Sequence, residues 1–467
     1  MLFNSLTFFI FLPIVFGVYW FALARSFRAQ NVWLLLASYV FYGWWDWRFM
    51  GLIAFTSAVS YLTGLKCEKG REHRKCWLVV SLVLNLAILG FFKYCNFFLE
   101  STASLLQMFG MRANLPVLQV ILPVGISFYT FQALSYTIDV YREKISPVRD
   151  WVAFFTFVSF FPQLVAGPIE RASNLLPQFT RSRQFDCDKA LHGVCLIVYG
   201  LFKKMVVADT LALYVDQAFA HPALYNSTAC VLGAIFFSFQ IYCDFSGYSD
   251  CARGLARLFG FELMLNFDRP YLSKSFGEFW HRWHISLSSW FKDYVYIPLG
   301  GNRVPFHRLI VNTWIVFLLS GLWHGASWTF VAWGALHAVF LTGGILRKRY
   351  WPSLNLPSVL NVILVDIGVF AAWILFRART FTDLQVFLRR IADCEFWGSM
   401  MATCAGMGPV LLLFCFLAVG LLLLSYVAPR DCAFRTTKAS VTYILVVSFV
   451  TIFFAVPSGG EFIYFQF

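Results

Sequence analysis

Charged residues are scarce in this sequence. Asp, Glu, Lys and Arg together make up 13% of its 467 residues, whereas an ordinary soluble domain contains about 25%. Hydrophobic residues account for 59%, and the mean hydropathy is +0.67. So few charges cannot cover a water-facing surface. The composition therefore excludes a soluble globular protein and indicates an integral membrane protein.

Cysteine patterns typical of zinc or redox centres are also missing. The 12 cysteines are scattered, with no CxxC pair and no zinc-type spacing. Such cysteines usually serve as small apolar residues. We therefore predict neither a metal site nor a structural disulfide.

No Ser/Gly-rich linker and no fixed-period repeat interrupts the chain, so we predict one membrane domain over residues 1–467. A spanning helix needs about 20 apolar residues, and some candidate segments are shorter, which gives about 11–13 transmembrane or re-entrant helices in an all-α protein. The first candidate lacks a basic stretch before it and a cleavage site after it, which favours a retained helix over a signal peptide. The candidates are residues 5–23, 31–45, 49–65, 77–92, 116–138, 151–167, 190–208, 228–243, 309–323, 326–346, 358–376, 406–427 and 438–457.

The basic residues give a predicted orientation. The net charge is +13, and the Lys and Arg residues lie in short clusters between apolar segments. Cytoplasmic loops of membrane proteins carry such clusters. The 428–438 loop contains Arg430, Arg435 and Lys438, so we expect it in the cytoplasm. The last span then runs outward and leaves Ser458–Phe467 on the extracytoplasmic side.

Residues 266–300 are unusually polar for a membrane chain. They mix acidic residues, basic residues and histidines with aromatic side chains, and such a density of polar groups must line a cavity or lie at an interface. Helical spacing relates Trp280, His284, Ser288 and Phe291. We therefore predict that one helical face carries these four side chains.

Histidines are the first candidates for chemistry. His324 precedes Gly325, whose missing side chain lets a backbone or a substrate approach the ring. A neutral imidazole suits general-base catalysis, and the alternative is a structural ring bonded to a backbone carbonyl. His284 has the same two interpretations, since it either positions a substrate or is a structural ring. On a single helix His337 would point about 140° away from His324, so we place it outside the site.

Two carboxylates end an apolar segment at Asp244 and Asp250. Each either touches substrate or forms an ion pair, and pairing is favoured because an isolated buried charge is costly. The nearby arginines in the sequence are Arg253, Arg257 and Arg282.

The sequence closes on the aromatic run FIYFQF at 462–467, although chain ends are usually polar and frayed. The run either anchors at the membrane interface or brings Tyr464 to the active cavity, where its phenol could act as a nucleophile.

These residues also carry a resemblance. The chain resembles the bacterial membrane-bound O-acyltransferases, most of all the membrane subunits that O-acetylate secreted polysaccharides such as alginate and cellulose. The similar stretches are SYVFYGWW at 38–45, NLAILGFFKYCNF at 85–97, LPVGISFYTFQALSYTIDVYR at 122–142, FVSFFPQLVAGPIER at 157–171, DFSGYSD at 244–250, RWHISLS at 282–288 and GLWHGASW at 321–328.

The resemblance implies a site and a reaction. His324 matches the catalytic histidine of the family, and His284 matches its usual companion. The fold implied is a ring of helices around a central tunnel. Tyr464 matches the tyrosine of an FxYF motif proposed as a transient acyl acceptor, which the teichoic acid system carries on a separate small subunit. We expect substrate contacts from Trp283, Ser288, Trp323 and Asp244.

The resemblance also implies substrates, partners and a location. Acetyl-CoA would be the cytoplasmic acyl donor, with no metal, and the acceptor an extracellular polysaccharide. A periplasmic or membrane-anchored acetyltransferase would complete the transfer beside the exopolysaccharide machinery, in the bacterial inner membrane. Nucleic acid is not expected as a partner. The alternatives are transfer of D-alanyl or another acyl group to a cell-envelope polymer, and a non-catalytic transporter or scaffold of an exopolysaccharide complex.

Overall fold

Helices make up all the regular secondary structure that the computed structural model describes. The described residues are 1–467 except 112–117, 119, 166, 354–355, 394–401, 404–405, 427–428, 430–431, 433, 435, 457–461 and 464–467. A helix satisfies its own backbone hydrogen bonds, which lipid cannot do. The chain is an all-α, multi-pass membrane protein, as the composition predicts.

Eight described helices are long and apolar enough to cross a membrane, and three shorter apolar helices accompany them. Together they reach the lower end of the predicted range. The eight are Trp47–Lys66, Arg74–Met108, Cys187–Ala220, Ser227–Leu258, Phe306–His324, Trp328–Tyr350, Ser358–Arg377 and Thr437–Phe454; the shorter ones are Leu6–Ala22, Trp151–Leu164 and Pro409–Ser425.

Contacts between Cα atoms divide the chain into two compact units. Unit 1 comprises Met1–Gly193 and Ala252–Met264, and unit 2 comprises Val194–Cys251 and Leu265–Phe467. The single domain over residues 1–467 stays a prediction.

Unit 1 begins with nine helices in sequence. Their bounds are α1 Leu6–Gly17, α2 Phe27–Gly43, α3 Met50–Lys66, α4 Arg74–Leu89, α5 Cys95–Met108, α6 Ile126–Tyr141, α7 Trp151–Ser159, α8 Phe161–Leu164 and α9 Ala172–Phe179. The predicted 151–167 segment is interrupted at Phe160, and Pro162 lies at the start of α8. Inside the unit, the Tyr19 hydroxyl donates to the Phe259 carbonyl at 2.9 Å, so a polar side chain at membrane depth is satisfied by backbone.

Unit 2 holds most of the remaining helices. They are α10 Cys187–Leu201, α11 Asp209–Ala220, α12 Ser227–Leu258, α13 Phe276–Arg282, α14 Ile285–Phe291, α15 Phe306–His324, α16 Trp328–Tyr350, α17 Ser358–Arg377, α18 Phe381–Ala392, α19 Pro409–Ser425 and α20 Thr437–Phe454. The first residues of α10 and the last of α12 belong to unit 1. A π-helical segment, Phe202–Ala208, joins α10 to α11.

Glycines let α15 and α16 approach each other closely. A Cβ added at Gly321 would overlap the carbonyl oxygen of Phe330, and one at Gly334 would overlap that of Phe317. Small residues at a helix crossing permit such backbone contact in membrane proteins. The turn between the two helices, which follows His324, is thereby held in place.

The predicted single helical face at 280–291 is wrong. Helix α13 ends at Arg282, and α14 starts at Ile285. Between them His284 has φ 44° and ψ 53°, in the left-handed region that a residue with a Cβ rarely adopts. Asn266 fixes this break, since its carbonyl accepts from the Ile285 N–H at 2.9 Å. A contact from outside the segment therefore overrides the local helical spacing.

Candidate active site

His324 is the last residue of α15, and its own helix fixes the ring. Nδ1 lies 2.6 Å from the carbonyl oxygen of Ser320, one turn earlier. A carbonyl oxygen only accepts, so Nδ1 carries the proton and the lone pair of the neutral ring is on Nε2. The residue is 3% exposed. His324 is thus held in the tautomer that a general base acting through Nε2 requires.

His284 is fully buried, and a network of side chains fixes its ring. Its Nδ1 lies 3.1 Å from Asn266 Oδ1. That oxygen also accepts from the N–H and the hydroxyl of Ser286, at 3.2 and 2.9 Å. The Asn266 amide nitrogen donates to Ser249 Oγ at 3.1 Å. This pattern orients the amide, so Nδ1 of His284 donates and Nε2 carries the lone pair.

The two histidines lie close together in unit 2. Their ring centroids are 6.5 Å apart, with the planes at 79°. Trp323 contacts both rings, at 5.7 Å from His284 and 5.0 Å from His324 between centroids. The structure therefore brings together three predicted site residues. Two buried imidazoles with defined tautomers can accept a proton from a hydroxyl and return it to a leaving group.

His337 lies on α16, whereas His324 ends α15, because the chain leaves the helix at Gly325. The single-helix geometry that separated the two histidines is therefore wrong. Both rings contact Trp333 with centroids 4.8 Å apart. In the described part of the chain neither ring nitrogen of His337 has a hydrogen-bond partner. His337 is a packed ring beside the pair.

A cavity of about 840 Å³ borders the residues that follow His324. Gly325, Ala326 and Ser327 line it, together with the ion pair between Arg377 and Asp216, whose N–O distance is 2.9 Å. Ligand pockets in proteins typically have volumes of about 300–1,000 Å³. A Cβ at Gly325 would overlap the ring of Phe330. The glycine is therefore required for close packing where these two residues line the cavity.

The other predicted substrate contacts are placed differently. Trp283 is fully buried among aromatic rings, with centroids 4.8 Å from Trp373 and 5.1 Å from Phe267. Ser288 is half-buried, and its hydroxyl donates to the Trp283 carbonyl at 3.3 Å. Substrate contact by these two residues stays a prediction.

Asp244 forms the ion pair that the sequence favoured, but with a different partner. Its Oδ1 lies 2.7 Å from Lys204 Nζ, and Lys204 also pairs with Asp209 at 2.9 Å. Asp250 pairs with Lys203. Lysines that the sequence did not suggest thus pair with Asp244 and Asp250. Arg257 and Arg282 pair with Glu262 and Glu278 instead.

Four residues of this region were not identified from the sequence. They are Lys203, Lys204, Asp209 and Asn266. The two lysines had a visible signal, since both interrupt the apolar segment 190–208, and an ionisable residue at membrane depth is a functional candidate. Asn266 had no comparable signal, because its importance comes from contacts with residues distant in sequence.

Tyr464 lies outside the described residues, whereas Phe462 and Ile463 are described. Phe462 is fully buried, and its ring centroid lies 4.5 Å from that of Tyr248 and 5.8 Å from that of Phe245. Phe245 in turn packs edge-on against His284, at 4.7 Å. Phe462 therefore lies one ring, that of Phe245, away from His284.

Among the described residues no group of three or more His, Cys, Asp or Glu side chains could hold a metal ion. Ten cysteines are described, and each is a free thiol.

A family model and several known proteins match this chain. The family model of the membrane-bound O-acyltransferases matches residues 148–376, which include His284, His324 and Asp244. The chain is 42% identical to the probable alginate O-acetylase AlgI of Azotobacter vinelandii, over 81% of this chain and 75% of that protein.

Two further relatives are similar over comparable lengths. Identity to the probable alginate O-acetylase AlgI of Pseudomonas aeruginosa is 41%, over 83% of this chain and 73% of the relative. Identity to the peptidoglycan O-acetyltransferase of Helicobacter pylori is 35%, over 81% of this chain and 77% of the relative. The chain therefore belongs to the membrane-bound O-acyltransferase family and is an O-acyltransferase.

Proposed function

We propose that this enzyme takes acetyl groups from cytoplasmic acetyl-CoA and moves them across the bacterial inner membrane for O-acetylation of an extracytoplasmic polysaccharide of the alginate type. The observation that carries the proposal is the buried pair of His324 and His284, each with its Nε2 lone pair defined. The names of the relatives support an O-acetylated polysaccharide as the final product.

His324 acts as the general base in this proposal. Its Nε2 removes the proton of the attacking hydroxyl while the oxygen adds to the thioester carbonyl. The C–S bond then breaks, an ester C–O bond has formed, and the imidazolium returns the proton to the departing thiolate. The rings of His284 and Trp323 lie beside that of His324, with centroids 6.5 and 5.0 Å away, and we assign them the positioning of the carbonyl.

Tyr464 is the proposed first acceptor of the acetyl group. The described residues just before it, Phe462 and Ile463, lie packed in unit 2, which supports access of the segment to the site. A phenol is a better leaving group than a sugar alkoxide, so onward transfer from an acetyl-tyrosine ester runs downhill. A periplasmic or membrane-anchored acetyltransferase would then carry the group to the polymer, within the exopolysaccharide machinery.

The proposal is tested with oriented membranes. Inverted vesicles that contain the protein receive labelled acetyl-CoA on the outside, which is their cytoplasmic face. We expect O-linked label to appear inside the vesicles, on the partner enzyme or on an enclosed polymer. Transfer from a D-alanyl thioester but not from acetyl-CoA would favour the D-alanyl alternative. Vesicles that move polymer without cleaving any thioester would favour a transporter.

Tyr464→Phe is the first specific prediction. The substitution keeps the aromatic ring and removes only the hydroxyl, so folding and donor binding should be unchanged while delivery of acetyl groups fails. Intact-mass measurement after incubation with acetyl-CoA should show one acetyl adduct in wild type, on the peptide that contains Tyr464, and none in the variant. If the variant acetylates polymer as well as wild type does, Tyr464 is not an acyl acceptor, and the aromatic run at 462–467 serves only as a membrane-interface anchor.

A further inference from the structure

Asp244 belongs to a buried ionic group with surplus negative charge. Lys204 is shared between Asp244 and Asp209, at 2.7 and 2.9 Å, and the three side chains are between 1% and 5% exposed. Two carboxylates against one ammonium leave one formal negative charge. A buried charge of this kind is costly unless hydrogen-bond donors reach it.

The segment that precedes Tyr464 supplies such a donor. The backbone N–H of Ile463 donates to Asp244 Oδ2 at 2.7 Å, and the bond is buried. Hydrogen bonds to a charged acceptor are roughly twice as strong as neutral ones. A main-chain donor, unlike a side chain, also fixes the course of the backbone. Asp244 thus holds the residue directly before Tyr464.

A second backbone hydrogen bond holds a residue earlier in the chain, Val456. The N–H of Val456 donates to the Met205 carbonyl at 3.3 Å. Met205 follows Lys204 in the π-helical segment Phe202–Ala208, and such widened turns are frequent at functional sites. Two described residues before Tyr464, Val456 and Ile463, are therefore each held by a backbone hydrogen bond.

Asp244 lies on α12 next to a residue that packs against His284. Asp244 is followed by Phe245, whose ring touches both Phe462 and His284. The helix therefore binds the segment and borders the histidine pair through consecutive residues. We infer that Asp244, which shares Lys204 with Asp209, is a positioning residue that holds the backbone of Ile463 so that Tyr464 can receive the acyl group. The inference rests on the proposed function of Tyr464.

The adjacent lysine provides a matched control. Lys203 pairs with Asp250 on the same two helical elements, and its ammonium also donates to Ser246 Oγ at 3.0 Å. Asp250→Asn perturbs a partly buried Lys–Asp ion pair on the same helix without removing the bond to Ile463.

The experiment compares Asp244→Leu, Asp244→Asn and Asp250→Asn in the full-length protein. Hydrogen–deuterium exchange of the peptide that covers residues 456–463 reports directly on the hydrogen bond between the Ile463 N–H and Asp244. We expect exchange to rise by about tenfold or more in Asp244→Leu, because a charge-assisted bond is lost. Asp244→Asn keeps an acceptor oxygen and should lie between this variant and wild type. Asp250→Asn should resemble wild type.

Acetyl adducts on the Tyr464 peptide are measured in the same samples. The adduct should fall in step with the rise in exchange, and Asp244→Asn should rescue part of both. Unchanged exchange in Asp244→Leu, or an equal rise in Asp250→Asn, would overturn the inference. If wild type itself forms no adduct, the proposal that Tyr464 carries the acetyl group fails. The exchange data then still decide whether Asp244 holds the backbone of Ile463.

Discussion

The end of α15 and the break between α13 and α14 present the same chemical group in two different ways. At both places a buried histidine gives its Nδ1 proton to an oxygen and keeps its Nε2 lone pair. His324 uses the carbonyl of Ser320, four residues earlier in its own helix. His284 uses the side chain of Asn266, which also binds Ser286 and Ser249. One ring depends on local geometry and the other on a network.

The two histidines also differ in backbone strain. His324 has helical geometry, whereas His284 has a positive φ of 44°. A non-glycine residue in this region costs about 1–3 kcal/mol and persists only where surrounding contacts impose it. We therefore expect the two sites to respond differently to mutation: His324 through loss of its own nitrogen, and His284 through loss of any member of its network.

His324→Ala should have the largest effect. Removing a general base lowers the rate of a proton-transfer step by about 10²–10⁴-fold. His324→Gln is the matched control, because its amide can still donate to the Ser320 carbonyl but offers no basic nitrogen. Both variants should express and purify as wild type does, and both should lose acetyl transfer from acetyl-CoA in vesicles. Near-wild-type transfer by either would remove His324 from the catalytic role.

The sequence predicted the helices well because the signal for a membrane span is local. Twelve of the thirteen predicted segments coincide with described helices, although 151–167 is broken at Phe160. The thirteenth, 116–138, is helical only from Ile126 onward in its described part. His284 and His324 were also chosen as candidates from the sequence, since a histidine in an apolar chain is conspicuous. Their surroundings depend on contacts between distant residues. Neither Asn266 as the anchor of His284 nor Lys204 as the partner of Asp244 could be read from spacing.

His284→Ala should have the intermediate effect, about tenfold in rate, equivalent to roughly 1.4 kcal/mol in the barrier. Asn266→Ala should reproduce most of this loss with His284 still present, because the ring loses the acceptor that sets its tautomer and orientation. The double variant should then be no worse than His284→Ala alone. Transfer rates of the three proteins, measured at equal amounts of folded protein, test this. Additive losses would show that Asn266 acts on the fold rather than on His284.

His337→Leu should have the smallest effect and shows whether the site stops at two histidines. The His337 ring lies against Trp333 and Trp280, and within the described residues its nitrogens have no hydrogen-bond partner. Replacing a buried, unbonded polar group by an apolar one of similar size is nearly neutral or stabilising. We expect transfer within about threefold of wild type, less than about 0.7 kcal/mol in the barrier, and an unchanged or higher unfolding temperature in detergent. A loss as large as that of His284→Ala, in a protein of unchanged stability, would make His337 a third member of the site. It would also mean that Trp333, which touches both His324 and His337, joins two functional rings instead of separating a functional ring from a packed one.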